Sequence, residues 1–393
     1  MNYILFDDRR IDLLPFTYTR PVSEIRCGIL TITEKWAHYL NGDISFLTSD
    51  YLQVKYKVQY ETDNCYINGG VFPSSELLHC IEDLEEGEML YHQNEEKIIA
   101  FRSSQKVELG AFDVHGFHQV NCDLEIISIN EVWDIFSKND VAIKRDFELL
   151  TDGRTSQPLG DTNTHIGQEL FIEEGAKVQG AILNSTTGPI YIGKNAEIME
   201  GSVVRGALAL CEGAQLKMAS KIYGATTIGP QCRAGGEVSN SVMFGYSNKG
   251  HDGFLGNSVL GEWCNLGADT NVSNLKNNYA EVKIWNYAKG GFKNTGLQFC
   301  GLMMGDHSKS GINTMFNTAT VVGVSANIYG GGFPRNFIPS YAWGGADKWI
   351  TFRTNKAFEV AEKMMERRNI PFTEADKSIM EYIFEETSKY RNF

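Results

Sequence analysis

Aliphatic side chains recur at every sixth position through the middle of the chain: Ile192, Ile198, Val204, Leu210, Leu216, Ile222 and Ile228. Four residues after each comes a side chain that is small in all but one case: Ala196, Ser202, Leu208, Ala214, Ser220, Thr226 and Cys232. The same period is present earlier and resumes later, at Ile166, Ile172, Val178, Leu260, Leu266 and Val272. An internal repeat of this kind constrains the fold before any other feature does.

A period of six matches neither an α-helix nor a simple alternating strand. It fits a three-sided prism in which each face takes one short strand and one turn, with the aliphatic residue inside and the small residue at the corner. Three faces close a coil of about 18 residues, and stacked coils bury a continuous column. The pattern predicts a left-handed parallel β-helix of hexapeptide repeats. The register breaks between Cys232 and Leu255 and between Val272 and Leu302, where we expect surface loops that carry function.

Charge and glycine content divide the chain into three regions. Residues 1–150 carry 13 basic and 26 acidic residues, a net charge of −13, whereas residues 151–393 carry 23 of each. Of 39 glycines, 7 lie in 1–150, 32 in 151–350 and none beyond. We expect an acidic α/β domain over 1–150, the β-helix over 151–344 and C-terminal helices over 345–393. An acidic first domain argues against nucleic-acid binding.

The C-terminal region is predicted to cap the open end of the coil. Thr373 and Asp376 are spaced as in a helix capping box, and Ile379 and Ile383 follow at helical spacing. No run of about 18 apolar residues occurs, so we expect no membrane segment. The N-terminus lacks the layout of a signal peptide. The eight cysteines are scattered, as in a reduced cytoplasmic protein.

A 26-residue segment, from Lys249-Gly250-His251 to Asn274, carries the most specific motif. It resembles the pattern K-x-G-H-x-x-Y-x-G-D-x-x-I-G-x-x-x-N-I-G-A-G-T-x-x-x-N, without gaps from Gly250 onward, and Lys249 lies one position closer to the histidine than the lysine of the pattern. That pattern is typical of the acetyltransferase domain of the bifunctional N-acetylglucosamine-1-phosphate uridylyltransferase/glucosamine-1-phosphate acetyltransferase family. The whole chain is similar to the shortened alternative bacterial form of that enzyme. The resemblance implies acetyl transfer to an amino-sugar phosphate, coupled to uridylyl transfer for UDP-N-acetylglucosamine synthesis.

By this resemblance His251 falls on the position of the general base. The chemistry agrees independently, because an amine that is mostly protonated near neutral pH must lose a proton before it attacks a thioester, and histidine suits that step. The resemblance also implies five substrate contacts: Glu237, Lys221, Lys249, Asn265 and Asn274. Either lysine would neutralise phosphate as a point charge.

Two departures from the family pattern affect substrate recognition. Ser239 replaces a substrate lysine and Phe254 replaces a tyrosine, so recognition of the sugar phosphate is rebuilt or the substrate differs. The resemblance further implies acetyl-CoA as cosubstrate, in a groove between neighbouring coils of different subunits, and hence a homotrimer.

The N-terminal region resembles a degenerate sugar nucleotidyltransferase. Such enzymes follow their first strand with a glycine-rich phosphate loop, but here the strand Tyr3–Phe6 leads into Asp7-Asp8-Arg9-Arg10. The later segment Leu14–Val22 remains recognisable, and the resemblance therefore implies a truncated nucleotidyltransferase-like domain with a Rossmann-like α/β fold. Arg20 and Arg26 are candidates for binding nucleotide phosphate, and Asp50 is a candidate ligand of Mg²⁺, with UTP as the nucleotide if the domain is active.

Two other interpretations stay open. The chain could be a sugar-1-phosphate nucleotidyltransferase whose β-helix only oligomerises it, or a non-catalytic sensor of sugar nucleotides. The missing glycine-rich loop disfavours the first. A scaffold has no need of a histidine flanked by Gly250 and Gly253, which disfavours both.

Overall fold

The computed structural model describes residues 1–109 and 116–393 and confirms the predicted architecture of an α/β domain followed by a left-handed parallel β-helix. The chain divides into two compact units. The first comprises Met1–Leu13, Thr19–Ile25 and Leu30–Asn130, and the second comprises Leu14–Tyr18, Arg26–Ile29 and Glu131–Phe393. No helix in the described ranges has both the length and the apolar character needed to cross a bilayer.

The first unit is built on one six-stranded sheet with the order β2-β1-β3-β5-β4-β6. Its strands are β1 (Asn2–Phe6), β2 (Ile44–Leu47), β3 (Asn64–Asn68), β4 (Glu88–His92), β5 (Lys97–Ser103) and β6 (His118–Asn121). Strand β1 pairs in parallel with β2 and β3, whereas β5 is antiparallel to β3 and β4. Helices α1 (Ile32–Tyr39) and α2 (Ser75–Glu82) begin at the caps Thr31 and Ser74.

The β-helix has three faces, each a parallel sheet whose strands come from successive coils. Face 1 contains Thr164–Ile166, Ile182–Asn184, Val203–Arg205, Lys221–Tyr223, Glu237–Ser239 and Phe254–Gly256, and Asn271–Val272 pairs separately with Met315–Phe316. Face 2 contains Leu170–Ile172, Ile190–Ile192, Leu208–Leu210, Thr226–Ile228, Val242–Met243, Val259–Leu260, Met303–Met304, Val321–Val322 and Phe337–Ile338. Face 3 contains Lys177–Val178, Glu197–Ile198, Gln215–Leu216, Arg233–Ala234, Asn248–Lys249, Asn265–Leu266, Lys309–Ser310, Asn327–Ile328 and Ala342–Gly344, and ends with the antiparallel Trp349–Thr351.

The hexad residues form the predicted interior column. All seven aliphatic positions from Ile192 to Ile228 are at most 1% exposed, and the seven small positions that follow them are fully buried. Ile166 is the exception, since it is 46% exposed. The strand register explains this: His165, not Ile166, pairs with the buried Leu183, so Ile166 lies on the outside of face 1.

Two helices that end near residue 150 belong to the same compact unit as the β-helix. They are helix α3 (Asp134–Ser137) and helix α4 (Asn139–Thr151). The Asn139 amide donates a hydrogen bond to the Ala225 carbonyl (3.1 Å), and its side-chain oxygen accepts one from the Thr227 hydroxyl (3.0 Å). The last change from one compact unit to the other comes after Asn130, and the domain bounds at 150 and 344 stay predictions.

Two helices follow the last coil, α5 (Thr354–Glu366) and α6 (Glu374–Glu386). The predicted capping box is present at the start of α6, between Thr373 and Asp376. The Tyr341 hydroxyl donates to the Met380 carbonyl (2.8 Å) and ties α6 to the end of the coil. Of the two register breaks, the one between Val272 and Leu302 leaves the coil and carries an antiparallel hairpin, Lys283–Asn286 with Gly291–Asn294. The loop expected between Cys232 and Leu255 is not formed, because that segment continues the three faces with Glu237–Ser239, Val242–Met243 and Asn248–Lys249.

Candidate functional site

His251 lies at the corner where face 3 turns into face 1, between the strands Asn248–Lys249 and Phe254–Gly256. We call residues 250–253 the His251 corner. The imidazole is exposed. An exposed imidazole on a turn between two fixed strands is accessible to a substrate without any movement of the core.

Glycines allow this corner to stack closely on its neighbours. Gly253 has φ +110°, and a Cβ there would lie 2.2 Å from the Thr270 carbonyl oxygen. Gly236, one coil earlier, has φ +68°, and its Cβ would lie 2.9 Å from the His251 carbonyl oxygen. Any side chain at either position would displace the backbone that carries the imidazole.

Lys249 supports the corner from the inside. The side chain is buried, and its ammonium donates to the Gly235 carbonyl (3.0 Å) and to the His251 carbonyl. Burial lowers the pKa of Lys249 to about 8, against the opposing effect of Asp252 and Asp269. This geometry therefore does not support the expected phosphate contact by Lys249, because the ammonium is turned away from solvent and donates its hydrogen bonds to backbone carbonyls.

Face 1 brings Lys221 and Glu237 together next to the corner. They pair with each other in adjacent coils, and Glu237 pairs in turn with Phe254. Such rungs lie about 4.8 Å apart. The Lys221 side chain is exposed, and the Glu237 carboxylate accepts a hydrogen bond from the Tyr223 hydroxyl, which raises the pKa of Tyr223 to about 12. The sequence did not single out Tyr223, since its link to Glu237 depends on the register between coils.

The two asparagines lie apart from this pair. Asn265 is half-buried on the outside of face 3. Asn274 follows the strand Asn271–Val272, and its amide donates to the Asn257 side-chain oxygen (2.8 Å). Asn271, which sequence reasoning missed, accepts a hydrogen bond from the Phe254 backbone N–H (2.9 Å) and so fixes the strand after His251. Within one chain the predicted contacts thus occupy two faces and two corners.

In the first unit, Asp7 takes the place where the family has its phosphate loop, just after β1. Ligands of α/β sheets bind outside the carboxyl ends of parallel strands. The Asp7 carboxylate is buried and accepts hydrogen bonds from the Val22 N–H (2.7 Å) and the Thr48 hydroxyl (2.5 Å). Burial raises its pKa to about 6. The Asp7 carboxylate therefore links the segments that contain Val22 and Thr48. The Val22 N–H donates to this carboxylate and is not available to bind a phosphate.

The N-terminal candidates do not all belong to one compact unit. Arg20 is buried in the first unit, and Arg26 belongs to the second unit, where its guanidinium donates to the Ile29 carbonyl. Asp50 is exposed at the start of the short 3₁₀ helix Asp50–Leu52. The described residues contain no group of three or more His, Cys, Asp or Glu side chains that could hold a metal ion.

Comparison with known proteins supports the resemblance. Residues 3–155 match the family model of sugar nucleotidyl transferases. A bifunctional sugar-1-phosphate nucleotidylyltransferase/acetyltransferase from Sulfurisphaera tokodaii is 30% identical over 162 residues, covering 41% of this chain and 38% of the relative. A bifunctional protein GlmU from Synechococcus elongatus is 23% identical over 212 residues, covering 52% and 43%. The aligned segments thus span less than half the length of these relatives.

Among solved structures, the D94N mutant of AntD, an N-acyltransferase from Bacillus cereus, in complex with dTDP and coenzyme A, is 14% identical in sequence to this chain. The similarity covers 52% of this chain and 91% of AntD, with a TM-score of 0.23. An Arabidopsis UDP-N-acetylglucosamine acyltransferase is 15% identical, covering 59% and 79%, with a TM-score of 0.23. TM-scores this low carry no functional argument.

The buried ammonium makes a testable contribution to stability. Because burial lowers the pKa of Lys249 in the folded state, the unfolded chain binds more protons between about pH 8 and pH 10.5. The contribution of Lys249 to the free energy of unfolding should therefore rise with pH across that interval. Urea unfolding followed by circular dichroism should show that wild type gains stability relative to Lys249→Met on going from pH 8 to pH 10. Lys194→Met, at an exposed corner, is the control and should show no such pH dependence. If the difference in unfolding free energy between wild type and Lys249→Met did not change with pH, the assignment would be contradicted.

Proposed function

We propose that the protein is a transferase that moves an acetyl group from acetyl-CoA to the amine of an amino-sugar phosphate such as glucosamine-1-phosphate. The observation that carries the proposal is the exposed imidazole of His251 on a corner fixed by Lys249 and Gly253. The similarity to bifunctional nucleotidylyltransferase/acetyltransferases supports the reaction class.

The reaction needs one proton to be removed and one to be delivered. The sugar ammonium first loses one proton to solvent; the imidazole then takes a proton from the attacking amine as the nitrogen forms a bond to the thioester carbonyl carbon. The carbon–sulfur bond then breaks, and the coenzyme A thiolate receives the proton. Lys221 neutralises the sugar phosphate, and Glu237, held by Tyr223, binds or orients the sugar. Asn265 and Asn274 remain candidate substrate contacts.

Replacing the base tests this function directly. His251→Ala should reduce acetyl transfer by about 10²- to 10⁴-fold, the usual contribution of a general base. The measurement is release of free thiol from acetyl-CoA in the presence of glucosamine-1-phosphate. His79→Ala, which removes another exposed imidazole, is the matched control. Undiminished transfer by His251→Ala would reject the proposed base and favour a β-helix that only oligomerises the chain.

A second activity, uridylyl transfer to a sugar-1-phosphate, is favoured by the family match over residues 3–155. Mg²⁺ is often held by one or two carboxylates together with substrate phosphates. Asp50, exposed and without a cluster of acidic partners in the described residues, would ligate it only alongside a bound nucleotide. Arg20 and Arg26 remain the candidates for binding the nucleotide phosphates.

The uridylyl activity is tested by mixing the full chain with UTP, Mg²⁺ and N-acetylglucosamine-1-phosphate. If the first domain is active, pyrophosphate should be released over many turnovers, and Arg20→Gln or Arg26→Gln should slow the release because a cationic phosphate contact is lost. Circular dichroism would show whether each variant is folded. Absence of release by wild type would reduce the first domain to a scaffold or a sensor of sugar nucleotides.

We also propose a homotrimer located in the cytoplasm. The outer side of face 1 exposes Ile166, Ile182 and Val203, each more than 40% accessible in one chain, and apolar area of this kind is stabilised when another copy covers it. All eight cysteines are free thiols, as expected in a reducing compartment.

Charge on this surface should disrupt the assembly. Light scattering should give a trimer for wild type and a smaller species for the double variant Ile182→Glu/Val203→Glu, since the introduced carboxylates would be desolvated at the interface. Val54→Glu, at an exposed apolar residue of the first unit, should leave the mass unchanged. A wild-type monomer would contradict the proposal.

A further inference from the structure

A second polar site lies on the outside of face 3, where the end of helix α5 packs over the coils. It is a cavity of about 120 Å³. Its wall is formed by side chains of two neighbouring coils and of the residues that follow α5, chiefly Arg233, Asn248, Arg367 and Arg368. None of these residues has a role in the transfer reaction proposed above.

Three arginine side chains line this cavity. Arg233, Arg367 and Arg368 have no ion-pair partner within the described part of the chain. Arg368 instead donates to the backbone carbonyl (3.2 Å) and the side-chain oxygen (3.4 Å) of Gln231. Desolvation lowers the pKa of Arg368, and repulsion by Arg233 and Arg367 adds to it. A concentration of positive charge of this kind is stabilised when an anion binds.

The unsatisfied side-chain oxygen of Asn248 indicates that the ligand also carries a hydrogen-bond donor. Asn248 lines the cavity, and its side-chain oxygen is buried and has no hydrogen-bond partner among the described residues. A buried acceptor left without a partner costs about 1–3 kcal/mol. A hydroxyl or amine on the bound molecule would satisfy it.

The remaining wall is aromatic and rigid. Tyr246 and Trp263 stack with ring centroids 4.3 Å apart and an interplanar angle of 8°. Both residues have positive φ, 55° and 61°, at the same corner of successive coils. The pair gives the arginines a fixed apolar neighbour, which limits water in the cavity and strengthens charge interactions there.

We propose that this cavity binds the phosphate group of a phosphate monoester, with the arginines on the phosphate and Asn248 on a neighbouring hydroxyl or amine. Its size suits one phosphate and the adjoining atoms rather than a whole nucleotide. Planar guanidinium groups pair with phosphate through two parallel hydrogen bonds. The monoester could belong to a sugar phosphate or to the ribose 3′-phosphate of coenzyme A.

Calorimetric titration of the full chain separates these sources. The probes are inorganic phosphate, glucosamine-1-phosphate, coenzyme A and dephospho-coenzyme A, which lacks the monoester. We expect Arg233→Gln and Arg367→Gln each to weaken binding of one monoester about tenfold, the loss of one charge-assisted contact. Arg145→Gln, at an exposed arginine of α4, is the control. Arg367 is also exposed, so its variant should fold even if Arg233→Gln does not.

The binding of the monoester can be tested separately from the transfer reaction. His251→Ala should bind the same monoester as tightly as wild type, because the imidazole does not line the cavity. If coenzyme A is the ligand, dephospho-coenzyme A should bind at least about tenfold more weakly than coenzyme A to wild type, and this ratio should be smaller for Arg367→Gln. Unchanged affinity for all four probes in both arginine variants would overturn the proposal.

Discussion

Closure of the coil around an inward aliphatic column is the constraint on which the rest of the β-helix depends. The interior of each coil accepts only one side chain per face, so every sixth residue must be apolar and the residue at the corner must be small. Backbone hydrogen bonds then join each coil to the next in a fixed register, as in the pairing of Lys221 with Glu237 and of Glu237 with Phe254. The packing of the interior therefore holds the functional side chains on the outside of the coils a few ångströms apart, and those side chains do not contribute to that packing.

The inward lysine at the His251 corner is the clearest local exception to this rule. The equivalent positions in the preceding and following coils are Ala234 and Leu266, both buried and apolar. Burying an ammonium at Lys249 destabilises the fold unless it is hydrogen-bonded, and its bonds go to the Gly235 carbonyl of the preceding coil and to the His251 carbonyl. A residue that violates the local pattern next to an exposed imidazole is what we expect of a functional site.

The repeat in the sequence was enough to predict the interior column, whereas features that depend on contacts between coils could not be predicted. The hexad fixed the interior column, and the glycine-flanked histidine identified the corner. The inward direction of Lys249 and the outward direction of Ile166 follow from register, which a count of residues does not reveal. The carboxylate of Asp7 replaces a glycine loop by hydrogen bonds to Val22 and Thr48, residues far along the chain. Arg233 and Arg367 meet only because α5 folds back over face 3.

In the proposed reaction the His251 imidazole receives the proton of the sugar amine. A crystal structure of the protein with coenzyme A and glucosamine-1-phosphate would test this. We expect an amine nitrogen about 3 Å from an imidazole nitrogen of His251, the distance required of a general base. An amine bound at another corner or face, beyond the reach of that ring even through one water molecule, would contradict it.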